Sequence, residues 1–363
     1  MATIDAAIIT TARQSDPGAS GGRRCRALPE NAAARPVRGT VIRHRQALLL
    51  ALLLSCAAPQ VHGVAVSSVV REAFAVRPFG DLALPQSTVR QLQFSRDGFL
   101  WAGTRAGLLQ YRAGQRRVWR QGVSAGSGLP SGMINDLLED PEGVIWAATP
   151  RGVAYLAPAD NDFRTVPQPN SGAGGDSNVV ALVLHGKQLI GATRNGHLLA
   201  ITRQGVRPIA AATAEADRDA PLPLQTLSAA ASDGRDLYLG TESNGVYRLA
   251  LHGDHYRRRE IHGPGDVVVG VAVCDDTLIW LSRDRGLTLQ PLDRPAAPPT
   301  RIDPRADETQ GYYRAMHASG PDSAWFAAGP HLIRLRDGEL STVTLPGRGN
   351  EVRSISVDRV GNV

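Results

Sequence analysis

Short stretches of alternating apolar and polar residues begin near position 88 and are separated by turn residues. Val89 to Phe94 alternates, which is the pattern of a half-buried strand. The pair Asp97–Gly98 predicts a hairpin turn, because glycine tolerates the positive φ that such turns need. Phe99 to Thr104 carries no charge, which predicts a strand covered on both faces. Leu108 to Tyr111 and Arg116 to Trp119 then predict a return strand and an outer strand.

This unit recurs along the chain. A large residue takes the same place in each copy, which we call the slot; the slots are Trp101, Trp146, Ile190, Tyr238, Trp280 and Trp325. A period in the forties with two turns per unit is typical of β-propeller blades, and a four-stranded blade needs neighbours to cover both of its faces. We therefore predict an all-β fold, a seven-bladed β-propeller with six complete repeats and the first strand of a seventh.

We interpret the recurring residues as structural. They are Trp101, Trp146, Tyr238, Trp280, Trp325, Gly98, Gly143, Thr104 and Thr149. A stripe of Trp could also stack on sugars, but recurrence with the period of the fold favours packing between blades. His252 and His255 fit no zinc signature and predict a solvated loop. We predict no catalytic residue, no metal site and no cofactor, and the sequence does not mark the ligand-binding residues.

The N-terminal region differs from the repeats in charge. Residues 1–45 hold eight Arg and three acidic residues, a net of +5 out of +6 for the whole chain, so the repeats are nearly neutral. A nucleic-acid-binding domain would carry its own basic stripe, so we expect no nucleic-acid partner. Arg43 and Arg45 precede an apolar run at 47–54 and small residues, which predicts a secretion signal. The run is too short to span a bilayer. Lipidation of Cys56 is the alternative for membrane attachment.

These features divide the chain into four segments. Residues 1–41 form a leader, either disordered or upstream of a true start near Val41, and residues 42–63 form the signal peptide. Residues 64–77 form an N-terminal segment that can supply a closing strand to the last blade. Residues 78–363 form the propeller. The seventh slot would fall at position 364, so we expect the last blade to be truncated and the sequence to be part of a longer protein.

The repeats resemble those of the two-component regulator propeller family. Its typical repeat runs Gly-Leu-Pro, then an apolar strand, then Asp-x-x-Gly-x-Leu-Trp-[Val/Ile]-Gly-Thr and Gly-Leu. Residues 128–153 follow that pattern nearly throughout, and residues 84–109 do so too. The likeness is weaker from the third repeat on, where Ile190 and Tyr238 replace the Trp.

The resemblance implies a function that composition and spacing alone do not. Proteins similar to this are bacterial receptors whose propellers lie in the periplasm, with a histidine kinase or diguanylate cyclase as output. It implies a small-molecule or oligosaccharide ligand, a homodimer in the full-length receptor, and membrane attachment through a helix C-terminal to this chain. We therefore expect the periplasmic, non-enzymatic sensor part of an inner-membrane protein. The alternatives are a propeller enzyme similar to streptogramin lyases and a secreted protein-binding scaffold.

Overall fold

The computed structural model describes residues 7–11, 74–78, 88–122, 127–168, 177–212, 226–305, 311–345 and 351–363, and its regular elements there are all strands. Strands β1 (Ala7–Thr11) and β2 (Phe74–Pro78) form a separate antiparallel pair. The predicted strand near residue 74 therefore exists, and in this structure it pairs with β1 rather than with the last blade. Residues 7–11, which are rich in β-branched side chains, lie inside the predicted leader and supply its partner. The predicted signal peptide and Cys56 lie outside the described residues.

The remaining strands form six four-stranded units, as the repeat predicts. Blade 1 contains β3 (Val89–Phe94), β4 (Leu100–Thr104), β5 (Leu108–Arg112) and β6 (Gln115–Trp119). Blade 2 contains β7 (Asp136–Glu139), β8 (Ile145–Thr149), β9 (Gly152–Leu156) and β10 (Arg164–Thr165). Blade 3 contains β11 (Val179–His185), β12 (Gln188–Thr193), β13 (Leu198–Thr202) and β14 (Gly205–Ala211).

The second half of the chain repeats this order. Blade 4 contains β15 (Leu227–Ser232), β16 (Asp236–Thr241), β17 (Val246–His252) and β18 (His255–His262). Blade 5 contains β19 (Val268–Cys274), β20 (Thr277–Ser282), β21 (Gly286–Pro291) and β22 (Thr300–Ile302). Blade 6 contains β23 (Tyr313–Gly320), β24 (Ser323–Ala328), β25 (His331–Arg336) and β26 (Glu339–Thr344).

Each blade is an antiparallel meander, and the first strands of neighbouring blades contact one another. We call these first strands the inner strands. The last strands of blades 3 and 4 also meet, because β14 and β18 pair in parallel at Ala210 and His255, which joins the two blades into one eight-stranded sheet.

The turns predicted from glycine have the required backbone. Gly98 and Gly143, in the hairpin after the inner strand, have φ of 85° and 82°. At the next turn the hydroxyls of Thr104 and Thr149 donate to the carbonyls of Gly107 and Gly152, at 2.9 and 2.7 Å. Both threonines are fully buried, so their hydroxyls replace water as partners of the turn carbonyls.

The core lies between blades rather than within them. Trp101 belongs to an apolar cluster shared by blades 1 and 2, and Trp146 belongs to one shared by blades 2 and 3. Trp280 is different: it packs with Tyr238 towards blade 4. In blade 1 the first residue of the inner strand pairs with Thr104, three residues after Trp101. In blade 5 the equivalent residue, Val268, pairs with Ser282, which is only two residues after Trp280. A one-residue shift turns a side chain to the other face of a strand, so Ile279, not Trp280, takes the slot of blade 5.

Residues 351–357 take the place of a seventh inner strand, although they are not paired into a sheet. The amide of Val352 donates to the carbonyl of Gly329 at 3.2 Å, as that of Ile134 does to the carbonyl of Thr104 at 2.9 Å. On the other side the Ser354 hydroxyl accepts from the amide of Leu92 at 2.9 Å. The segment therefore contacts both blade 6 and blade 1, which is the contact a seventh blade makes.

Candidate functional site

The predicted structural residues are buried. Trp101, Trp146, Tyr238, Trp280 and Trp325 all expose 5% or less of their surface. Side chains so enclosed offer no stacking surface to a sugar in this conformation. They take part in packing between blades, where large aromatic side chains remove much apolar area from water.

Carboxylates satisfy the polar atoms of three of these aromatic residues. Asp140 accepts from the indole nitrogen of Trp146 at 2.8 Å, and Asp266 accepts from that of Trp280 at 2.8 Å. The Tyr238 hydroxyl donates to Asp233 at 3.1 Å. In blade 1 the residue equivalent to Asp140 is Ser95, and the indole nitrogen of Trp101 is buried with no partner. The sequence shows this difference, but only the structure connects it to the Trp.

A groove of about 660 Å³ runs between the outer parts of blades 1 and 2. Trp101 and Trp119, stacked at a centroid distance of 5.4 Å, lie at its floor. Two of its arginines are already bound within the protein: Arg96 pairs with Glu139 at 3.2 Å, and Arg117 donates to the carbonyl of Asn161. These arginines therefore hold blades 1 and 2 together and are not free to bind a ligand.

A second surface lies where the inner strands begin. Three consecutive units around the ring, blade 6, the seventh unit and blade 1, have an arginine as the second residue of the inner strand. It follows a buried or half-buried first residue, and the three are Arg314, Arg353 and Arg90. Arg105 and Arg194 lie in turns on the same side of blades 1 and 3. We call these five residues the arginine rim. Burial, together with the positive charges of Arg105, Arg353 and Arg194, lowers the pKa of Arg90.

Below the rim, one carboxylate links three blades. Asp136 of blade 2 accepts from the amide of Leu182 in blade 3 at 2.7 Å and from the side-chain amide of Gln91 in blade 1 at 2.8 Å. The amide of Leu137 also donates to it, at 2.8 Å. Removal from water disfavours the charged form and raises the pKa of Asp136 to about 7, although all three hydrogen bonds act in the opposite direction.

The His pair noted in the sequence lies at the hairpin between β17 and β18 of blade 4. His252 ends β17 and His255 begins β18, with Gly253 and Asp254 forming the turn between them, so both belong to strand ends rather than to a loop. Within the described residues, no group of three or more His, Cys, Asp or Glu side chains could hold a metal ion. In the same part of the chain, no helix has the length and apolar character to cross a bilayer.

Sequence reasoning missed the arginine rim because Arg is common throughout this chain, where Lys187 is the only lysine among 40 basic residues. A usable signal was nevertheless present. In Val89–Arg90, Tyr313–Arg314 and Val352–Arg353, the arginine follows the first apolar residue of a repeat. Only alignment of the repeats by their inner strands brings these three positions together.

Comparison with solved structures supports the fold. The WD40 β-propeller domain of Doa1 matches with a TM-score of 0.52 at 14% identity, over 75% of this chain and 87% of that one. YCF48 bound to D1 peptide matches with a TM-score of 0.51 at 11% identity, over 70% and 80%. At such identities the likeness shows a β-propeller and nothing more.

The extracellular domain of BT4673, a putative hybrid two component system from B. thetaiotaomicron, is also similar, at 18% identity and a TM-score of 0.43. The match covers 75% of this chain but 37% of that one, so the chain spans little more than a third of that domain. No curated protein matches the sequence.

The sequence itself matches one family. Residues 128–151 match the two component regulator propeller. In the structure these residues comprise the approach to blade 2, its inner strand, the Asp140 turn and the strand that carries Trp146. The same units recur around the ring. The chain is therefore a β-propeller that carries a repeat of the two-component regulator propeller family.

Proposed function

We propose that this chain is the extracytoplasmic ligand-sensing module of a bacterial transmembrane receptor, and that it has no catalysis of its own. The match of residues 128–151 to the two component regulator propeller, inside a β-propeller, is the observation that carries the proposal. In such a receptor a separate histidine kinase or diguanylate cyclase domain would provide the output, and the propeller would bind the signal.

The segment at 42–63 supports an extracytoplasmic location. Two arginines precede its apolar run, and small residues follow, which is the order found in secretion signals. A propeller also suits a binding role, because its rigid blades hold turns from several repeats around one axis.

Export is tested with a reporter that is active only outside the cytoplasm. Residues 41–100 are fused to alkaline phosphatase, and activity is measured in whole cells. We expect an active fusion. The matched control carries Leu50→Arg and Leu52→Arg, which place two charges in the apolar run and should abolish export. Equal, low activity of both fusions, with protein retained inside the cell, would contradict the proposal.

Sensing is tested in the full-length receptor in membranes. Phosphotransfer and cyclic dinucleotide synthesis are both measured with the native propeller and with Trp146→Ala, which should disturb the junction of blades 2 and 3. We expect the receptor to show one of the two activities, and we expect that activity to differ between the native protein and Trp146→Ala. Output that is identical in the two proteins, or absent from both assays, would instead favour a secreted scaffold or a propeller enzyme.

A further inference from the structure

The arginines of the rim are placed by irregularities in the inner strands. The pairing of β3 with β4 shifts register between Val89 and Gln91, and that of β23 with β24 shifts between Tyr313 and Ala315. Arg90 and Arg314 are thus the extra residues of two β-bulges. Bulges interrupt the alternation of a strand and re-aim the side chain at that point. Arg353 holds the same position in the seventh unit, one residue after Val352.

The rim has few acidic partners. The Glu351 carboxylate lies 2.9 Å from a guanidinium nitrogen of Arg353 and 3.4 Å from one of Arg314. The Glu242 carboxylate lies 3.3 Å from a guanidinium nitrogen of Arg194. Among the described residues, two acids therefore face these five arginines, a balance of +3. Within the described residues neither Arg90 nor Arg105 has an ion-pair partner, and the Nε of Arg90 is buried without a hydrogen bond.

This arrangement is electrostatically costly as it stands. A guanidinium stays charged at any pH that the protein meets, so the repulsion among these side chains is not relieved by loss of a proton. A half-buried charge with an unsatisfied donor also loses hydration, which no described residue replaces at the Nε of Arg90. A bound anion would remove both costs. Several guanidinium groups around one point suit an oxyanion, because each can donate two parallel hydrogen bonds to a planar or tetrahedral oxygen group.

We propose that the arginine rim binds an oxyanion group, a carboxylate, sulfate or phosphate, of an anionic ligand, with Arg90 at its centre and Arg105 and Arg353 beside it. This inference rests on the proposed function in one respect, which is that the anionic ligand is taken to be the signal that the receptor senses. The alternative anion site would be the groove between blades 1 and 2, but Arg96 and Arg117 there are already bound within the protein.

Binding is tested on the purified chain by calorimetry and by thermal unfolding. Sodium sulfate, phosphate and citrate are each compared with sodium chloride at equal ionic strength. We expect at least one oxyanion to bind and to raise the unfolding temperature above that in chloride. Whichever of the three binds most tightly identifies the oxyanion class. A chain that responds equally to all four salts would overturn the proposal.

The arginines are tested by substitution with glutamine. A hydrogen bond to a charged group contributes about 1.5–3 kcal/mol, so Arg90→Gln should weaken binding at least about tenfold. Arg90→Gln should also unfold at the same or a higher temperature than the native chain in low-salt chloride, since it removes repulsion. Arg105→Gln changes an exposed turn residue and should weaken binding about threefold or more without affecting folding.

Arg207→Gln is the matched control. Arg207 lies on the outer strand of blade 3, pairs with Asp254 at 2.9 Å and is exposed. Its substitution therefore removes one positive charge at a position outside the arginine rim. Its affinity should stay within about twofold of the native value. Unchanged binding in both Arg90→Gln and Arg105→Gln, or an equal loss in Arg207→Gln, would overturn the site. If export fails while the rim binds oxyanions, the sensing role is lost and the site remains.

Discussion

Blades 1 and 2 are built from the most similar repeats of the chain, yet they hold their central Trp in different ways. In blade 2, Asp140 accepts from two main-chain amides of its turn, those of Glu142 and Val144, and from the Trp146 indole. In blade 1, Ser95 takes that position, its hydroxyl lies against Asp97, and the Trp101 nitrogen has no partner. One side chain thus joins turn and core in blade 2, whereas blade 1 relies on apolar packing alone.

The two blades also differ on the inner strand. Asp136 of blade 2 and Gln91 of blade 1 are equivalent, each two residues after the residue that begins the repeat, and they bind one another. The carboxylate reaches the main chain of the next blade, as Ser354 does at the junction of the seventh unit with blade 1. The same inter-blade bond can therefore be made by an ionisable group or by a neutral one, and only the first makes a junction sensitive to pH.

The largest expected effect comes from the slot residues. Trp146→Ala and Trp101→Ala should each lower the free energy of unfolding by about 3–5 kcal/mol, because each removes a buried aromatic side chain. Trp146→Ala should cost about 1 kcal/mol more, since it also removes the indole donor of Asp140 and leaves only the two main-chain amides. Denaturant unfolding followed by circular dichroism measures both. If Trp101→Ala left stability unchanged and abolished ligand binding, the side chain would be a ligand contact.

The next effect is on the pH dependence of stability. The pKa of Asp136 rises from 3.8 in the unfolded chain to about 7 in the fold, so the folded state binds more protons between these values. Stability from this group is therefore greatest below pH 4 and falls as pH rises to 7, by up to about 4 kcal/mol at 1.36 kcal/mol per unit. Asp136→Asn should remove that slope. A native chain and variant with parallel stability curves between pH 4 and 7 would exclude this role.

A smaller effect is expected at the turns. Asp140→Ala removes an acceptor of three hydrogen bonds and should cost roughly 2–3 kcal/mol of unfolding free energy. Ser95→Ala is the matched change in blade 1 and should cost roughly 1 kcal/mol or less, because Ser95 does not bind the Trp101 indole. Thermal unfolding of both variants beside the native chain measures the difference. Equal losses would show that the carboxylate adds nothing to the turn.

The smallest effect is a gain. Ser95→Asp places a carboxylate where blade 2 has one, and an Asp97→Asn background removes the carboxylate that lies against the Ser95 hydroxyl. This double variant should be more stable than Asp97→Asn alone by about 1 kcal/mol, because the buried Trp101 nitrogen acquires an acceptor. Calorimetry on the two proteins tests it. A loss of stability would mean that the Trp101 nitrogen cannot be reached from position 95.

Much of the fold could be predicted because the repeat is local. The strands of blade 1 agree with their predicted bounds to within about two residues, since alternation of apolar residues and positive-φ glycines act over neighbouring positions. Trp280 shows where this fails. The residue type and the spacing both favoured the slot, but Val268 pairs with Ser282 as Val89 pairs with Thr104, which places Trp280 one residue beyond the slot. That register is a property of two strands.

The sequence by itself determined that this chain repeats one four-stranded unit, which residues turn between strands, and which family its second repeat matches, because each of these depends on residues close together in the chain. Only the tertiary structure decided which neighbour each strand and side chain meets. It paired Phe74–Pro78 with Ala7–Thr11, joined blades 3 and 4, and brought Arg90 together with Arg353 across the junction of the two ends of the ring. These contacts join residues far apart in the chain, so no local pattern encodes them.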